Sequence, residues 1–249
     1  MDLKPFDIAR VRVRLPGRRI EYFPSVDSTM RPAAELAAHG APAGTLVVAG
    51  EQTAGQGRHG HSWYSTPGAG LYFSMLLAPD PVLTLALGLA VADAVSRVSG
   101  LNCDLRWPND VMIGERKAAG SLVQLAGTVA VAGIGINVGH AAFPAELAAE
   151  ATSLAIETGG RAPAREDLLA EVVQAIGAMP GLLAAHGAHA VLKLFTRSSS
   201  YACGKRVRVD TPGEAIRGVT AGLDASGFLR VRREDGTIAT ILAGGVRPE

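Results

Sequence analysis

The chain has 249 residues, 48% of them hydrophobic and 19% charged, with a net charge of +1. That length suits one large domain or one large and one small, and the composition excludes intrinsic disorder, which needs low hydrophobicity and high net charge. The 30 glycines and 14 prolines follow no period, which excludes collagen-like and low-complexity chains.

Near-neutral charge gives no global pull toward nucleic acid or an acidic membrane, so neither is expected as a partner. Cys103 and Cys203 form no CxxC or zinc spacing and point to a reducing compartment. The N-terminus has scattered charges and no apolar core of a signal peptide. The most apolar stretch, Val82 to Ala92, is too short to span a bilayer. A cytoplasmic protein is expected.

Residues 1–24 read as a leader, with Val11 and Val13 alternating against arginines as in an edge strand. Asp27-Ser28-Thr29 then precedes an Ala-rich helix that ends at Gly40, with Pro32 tolerated in its first turn. Thr45 to Ala49 is a buried strand, and residues 51–68 form a long polar loop of the kind that is usually functional in a compact domain. Leu71 to Leu77 is a strand, and residues 81–98 are a buried helix. Short strands at Leu105 to Trp107 and Val111 to Ile113 flank Pro108-Asn109-Asp110. A tight turn at Gly114-Glu115 leads into Lys117 to Leu125, and Val129 to Val138 is the next strand. Helices are predicted at 165–178 and 188–196. From Val207, short alternating runs separated by Pro-Gly, Ser-Gly and Asp-Gly turns describe a small β-barrel. The boundary is expected near Ser198 to Ser200, giving domains at 1–198 and 199–249.

Gly55-Gln56-Gly57-Arg58-His59-Gly60 matches GxGxxG, but it neither follows a strand directly nor opens a helix, so a Rossmann site is excluded. The loop can still cradle an anion with converging backbone N–H groups, and Arg58 adds a fixed charge. Asp110 offers a carboxylate for Mg2+ or an ordinary Asx turn. Lys117, across a hairpin from Asp110 and beside Ala118, Ala119 and Gly120, is either a ligand-facing cation or a solvated surface charge. Asn137 in an apolar strand needs a partner, either backbone or an adenine edge. His59 and His61 lack the companions a metal site needs. There is no Walker A motif and no GxSxG elbow.

Taken in order, Asp27-Ser28-Thr29, the run from Glu51 to Trp63, Arg106-Trp107-Pro108-Asn109-Asp110, Arg116 to Gly120 and Gly133 to Asn137 resemble the biotin–protein ligases. The strong coverage is from Asp27 to Asn137, and the C-terminal runs fit the family's small SH3-like domain. The resemblance implies an α+β fold, with a class II aminoacyl-tRNA synthetase-like catalytic domain (a mixed sheet flanked by helices) and a C-terminal SH3-like barrel. It implies that biotin and MgATP give biotinyl-5′-adenylate, and that a lysine of a biotin carboxyl carrier domain then takes the biotin. By the same resemblance Ser28, Thr29, Gln52, Gly55, Gln56, Gly57, Arg58, Lys117 and Gly120 bind biotin. Arg58, Trp63, Asn109, Lys117 and Asn137 bind ATP or the adenylate. Lys117 and Arg58 are catalytic, and Asp110 is a Mg2+ ligand. No DNA-binding region precedes Asp27, so repressor function is not expected, while a homodimer stays open. Two positions depart from the family pattern: Gln56 stands where an Arg is common, and Met30 where Asn is common. The competing readings are a lipoate ligase or octanoyltransferase on the same fold and a non-catalytic binding module. A nucleic-acid regulator ranks below both.

Overall fold

The computed structural model describes residues 5–211 and 213–249. The Val11–Val13 segment of the leader is not a strand: α1 spans Ile8–Arg14. Asp7 caps it by accepting from the Arg10 N–H at 3.0 Å. Val11 and Leu15 are buried one helical turn apart, while Val13 is 80% exposed. Arg10 and Arg14 reach Asp167, and Arg14 also pairs with Glu171 at 3.1 Å. The valine alternation was therefore ambiguous, and the Val11–Leu15 spacing with its cap decides for helix.

The large sheet comprises β1 (Ile20–Phe23), β2 (Leu46–Ala49), β3 (Gly70–Leu77), β4 (Asp104–Arg106), β5 (Asp110–Ile113), β6 (Arg116–Ala126) and β7 (Val129–Asn137). Their order is β1-β2-β3-β7-β6-β5-β4. Only the β1–β2 pair is parallel, so the sheet is mixed. Alternation sets its two faces. Val47, Leu76 and Val131 meet α2 (Met30–Ala38) on one side. Leu46, Val48, Phe73 and Met75 belong to the larger core with α3 (Leu83–Ser99) and α6 (Arg165–Arg197). Short helices α4 (Ala145–Ala148) and α5 (Leu154–Glu157) follow β7 and had no clear periodicity in the sequence.

The two helices expected after residue 165 are both present within α6, the first running on past 178 through Pro180. The element breaks at Gly187, whose backbone (φ 68°, ψ 178°) is cheap only for glycine. By length and composition α6 is apolar enough to cross a membrane, with mean hydropathy 1.6 over its window. In this fold Leu168, Leu169, Val172, Val173 and Ile176 are buried within the chain's own core.

The second sheet has β8 (Cys203–Asp210), β9 (Ala215–Leu223), β10 (Leu229–Arg232), β11 (Ile238–Ile241) and β12 (Gly245–Pro248), in the order β11-β10-β9-β8-β12, all antiparallel. The Pro-Gly turn expected at 212–213 lies partly outside the described residues. Trp107 donates its indole N–H to the Gly227 carbonyl at 2.9 Å, and Ser199 and Ser200 bond to Leu105 and Asp104 of β4. α6 ends at Arg197, and the small sheet begins at Cys203.

Val11→Ala is expected to cost about 2 kcal/mol, from two lost methyl groups plus an imperfectly filled gap. Val13→Ala should stay within about 0.5 kcal/mol. Urea unfolding of both variants checks this, and equal losses would put both valines on one strand face.

Candidate active site

Three glycines make the floor of the main cavity, which has a volume of about 860 Å3. Gly133 and Gly135 of β7 alternate with Ile134 and Ile136, so the glycines face the cavity and the isoleucines face the core. Gly120 lies opposite Gly135 on β6. A Cβ on Gly135 would meet the Trp63 ring at 2.4 Å, and one on Gly133 would meet Met30 Sδ at 2.5 Å. The glycines therefore let the Trp63 ring and the Met30 thioether lie directly on the backbone. GIGIN carries this signal in its two-residue glycine period, which the sequence reading did not use.

One end of the cavity is uncharged and hydrogen-bonded. Thr29 occupies the helix-capping position of α2 but makes no capping bond. Its hydroxyl donates to Gln52 Oε1 at 3.2 Å and lies 2.8 Å from Ser74 Oγ, so Ser74 is the donor to Thr29. Gln52 also accepts the Thr29 N–H at 2.9 Å and donates to Ser65 at 3.3 Å. Ser28, buried beside them, accepts the Met30 N–H at 3.3 Å.

The other end is cationic. Lys117 Nζ lies 2.5 Å from Asp110 Oδ1, as the hairpin reading expects. The β5–β6 register shifts between Val111 and Met112, an irregularity of the kind that re-aims side chains. Arg106 holds Asp110 Oδ2 at 2.9 Å. Burial raises the Asp110 carboxyl's pKa, but Lys117 and Arg106 outweigh it and hold the group below its ordinary 3.8. Its contribution to stability is thus present above that value and lost as pH falls through the lowered one. Both Asp110 oxygens are engaged by cations, Oδ1 by Lys117 and Oδ2 by Arg106, so a Mg2+ ion bound to this carboxylate would have to displace one of them. Among the described residues no three His, Cys, Asp or Glu gather to hold a metal.

The loop from 51 to 68 folds over this end. Trp63 donates its backbone N–H to Gly55 at 2.8 Å, and Gly57 donates to His61 at 2.7 Å. A Cβ on Gly55 would strike the Trp63 carbonyl at 2.8 Å. Arg58 donates to Asn109 Oδ1 at 3.1 Å, and Asn109 in turn donates to the Ser121 carbonyl at 2.7 Å. Burial lowers the Arg58 pKa. Lys117 lies 5.3 Å from the Trp63 ring centroid, within cation–π range. Gln56 is exposed at the rim, paired with Ser62. The side chain of His59 lies outside the described residues.

Asn137 is buried at the end of β7 and donates to the Thr152 carbonyl at 3.0 Å and, more weakly, to that of Lys117 at 3.4 Å. Of the two roles the sequence left open, backbone pairing is the one seen. The Lys117 backbone is itself pinned, donating to Glu150 at 2.7 Å and accepting from Thr152 at 2.9 Å.

The sequence reading missed an aromatic group beside the cavity. His140 stacks on Phe143 at 5.0 Å and approaches Tyr64 of the loop at 5.9 Å. It also missed Arg247 of β12, which reaches Glu150 at 3.6 Å on the cavity wall.

The model of the biotin/lipoate A/B protein ligase family matches residues 22–140, and that of the biotin protein ligase C-terminal domain matches 202–246. The chain is 32% identical over 239 residues to the bifunctional ligase/repressor BirA of Bacillus subtilis, covering 91% of this chain and 73% of that protein. The chain belongs to the biotin/lipoate protein ligase family. It is 34% identical to the biotin–[acetyl-CoA-carboxylase] ligase of Mycobacterium tuberculosis, covering 90% of this chain and 89% of that one. The structure of the biotin protein ligase of Aquifex aeolicus in complex with biotin and ATP superposes with a TM-score of 0.83 at 32% identity, covering 93% of this chain and 99% of that one. The first family match spans every candidate residue from Ser28 to Asn137, and the second spans most of the small sheet.

His140 gives this ligase fold a pH signature. Neither of its ring nitrogens has a hydrogen-bond partner among the described residues, and burial lowers its pKa from 6.5 to about 4. Between those values the unfolded chain binds a proton that the folded chain does not, so stability falls as pH drops through the window, by up to about 3 kcal/mol. His140→Phe should keep the ring stack and flatten the dependence. Urea unfolding from pH 7 to 4 tests this, and an unchanged slope would refute it.

Proposed function

We propose that this chain is a biotin–protein ligase that activates biotin with ATP and transfers it to a lysine of a biotin carboxyl carrier domain. The carrying observation is one continuous cavity that joins a neutral hydrogen-bonding end to a cationic end along the two glycine-bearing strands. Biotin's ureido group needs donors and acceptors together, which Ser28, Thr29 and Gln52 supply. Their mutual bonds hold them in place before a ligand arrives. The fused ring and valeryl chain then run past Met30 and Trp63, the two side chains seated on the glycine strands, and the carboxylate reaches Lys117.

In the first step a biotin carboxylate oxygen attacks the α-phosphorus of ATP, forming biotinyl-5′-adenylate and releasing pyrophosphate. Negative charge concentrates there, and cations fixed in advance lower the barrier. Lys117 has three N–H donors, so it can keep Asp110 while contacting the carboxylate and the α-phosphate. Arg58 supplies the second cation from the loop. Mg2+ enters this reading on the ATP phosphates, which it favours over an all-protein cage, and no residue role here depends on it. In the second step the carrier lysine's neutral amine attacks the adenylate carbonyl, and AMP leaves. Gly55, Gln56 and Gly57 let the loop lie close over the adenylate and shield it from water. We assign Trp63, Asn109 and Asn137 to the nucleotide side of the cavity. ATP as a substrate and the free thiols of Cys103 and Cys203 support a cytoplasmic location, and a net charge of +1 supports a role without DNA.

Lys117→Ala should lower biotin-dependent ATP–pyrophosphate exchange by about 10²–10³-fold while thermal unfolding remains cooperative. Near-normal exchange would remove Lys117 from the chemistry. Exchange driven by lipoate or octanoate, and not by biotin, would replace the proposed acid.

Gln56→Arg exchanges a neutral amide for a charge-assisted donor at the rim. It should slow release of biotinyl-adenylate by about tenfold for each 1.4 kcal/mol gained. Stopped-flow dissociation measures this, and an unchanged rate would show that residue 56 points to solvent in the closed loop.

A further inference from the structure

The neutral end of the cavity is bounded by two unlike walls. The polar wall is a hydrogen-bonded chain, Ser74–Thr29–Gln52–Ser65, which fixes where its donors and acceptors point. The apolar wall includes Met30, Leu122 and Trp63. Met30, the first residue of α2, lines the cavity and is only 6% exposed. Its Sδ would lie 2.5 Å, and its Cγ 3.2 Å, from a Cβ built on Gly133. The thioether thus fills most of the space that any larger residue at 133 would take, with Ser74 Oγ next to it at 3.6 Å from that Cβ. Below it, Ala33, Val47, Leu76 and Val131 form a small closed cluster between α2 and the sheet. Met is unbranched, with three rotatable bonds and a polarisable sulfur, so it adapts to an irregular apolar surface better than any branched side chain.

We propose that Met30 is the specificity-determining residue of the acid-binding end, a role that rests on the biotin reading above. With the ureido edge of the fused ring held by Thr29 and Gln52, the opposite edge, carrying the ring sulfur and its methylene, packs against the Met30 thioether. The reach of Met30 over Gly133 then sets the largest ring edge the site accepts. Cutting Met30 back to Cβ removes Cγ, Sδ and Cε, which makes room for the two extra oxygens of biotin sulfone on the ring sulfur. An apolar wall discriminates by about 10–200-fold for a change of this size, which is the range to look for.

The experiment is ATP–pyrophosphate exchange with biotin and with biotin sulfone for the wild type, Met30→Ala and Met30→Leu, beside a thermal unfolding curve for each. The wild type should favour biotin. In Met30→Ala the ratio of kcat/KM for sulfone over biotin should rise about tenfold or more. Met30→Leu, of similar volume, should restore the wild-type ratio, which a general loosening of the helix would not do. If Met30→Ala does not fold, Met30→Val, with its shorter reach and smaller void, should move the ratio in the same direction. An unmoved ratio in whichever variant folds overturns the inference while the wild type's biotin-dependent exchange upholds the function. A wild type that exchanges with neither acid overturns both.

Discussion

Asp110 sits between two cations in a part of the protein with little access to water, and much of the site's geometry follows from that. A buried carboxylate costs several kcal/mol unless it is paired and hydrogen-bonded. Arg106 reaches it from β4, and Lys117 reaches it from β6, across the bulged β5–β6 ladder. The three strands therefore share one electrostatic constraint, and none can slide without stranding a charge. The arrangement is no special source of stability, since buried pairs repay their desolvation only in part. Its consequence is positional. The lysine ammonium is held over the glycine floor, beside the Trp63 ring, with donors still free for an anion.

The loop is connected to the same constraint by a different route. Arg58 bonds Asn109, the neighbour of Asp110, and Asn109 bonds the β6 backbone at Ser121. Trp63 lies on Gly120 and Gly135, where its ring replaces the side chains the strands do not have. Loop glycines permit the tight backbone approaches at Gly55 and Gly57, while sheet glycines provide the seat. A polar loop of this length with few apolar anchors would otherwise have little reason to settle in one place. Trp63 and Arg58 fasten the middle of the loop, while the Thr53 and Ala54 N–H groups tie its start to Val26 and Asp27 and the Tyr72 hydroxyl holds Thr66 near its end.

The small sheet also contributes to the cavity. Trp107 joins it to the β4–β5 turn through Gly227, and Arg247 approaches Glu150 next to the segment that pins the Lys117 backbone. The turn that carries Asn109 and Asp110 is therefore braced from the C-terminal side, and the residues at its two ends are fixed by different parts of the chain.

By itself the sequence determined the β-rich order of the large unit, the buried α3, the polar loop and the alternating strands of the small sheet, because periodicity records which face of a local element is buried. It also marked the ordered motifs from Ser28 to Asn137, and with them the chemistry expected of the site. The tertiary structure decided what depends on partners far away along the chain. Val11 and Val13 alternate as well as any strand, yet α1 is a helix, with its arginines fastened to Asp167 and Glu171 on α6. Asp110 suits a metal by residue type, but register and a bulge bring Arg106 and Lys117 to its two oxygens. Thr29 has the makings of a helix cap, but Gln52 and Ser74 take its hydroxyl. The stack of His140 on Phe143 and the approach of Arg247 leave no mark in local spacing. A side chain's role at such places is set by which charge or hydroxyl the fold brings within about 3 Å, and that distance exists only once the sheets have assembled.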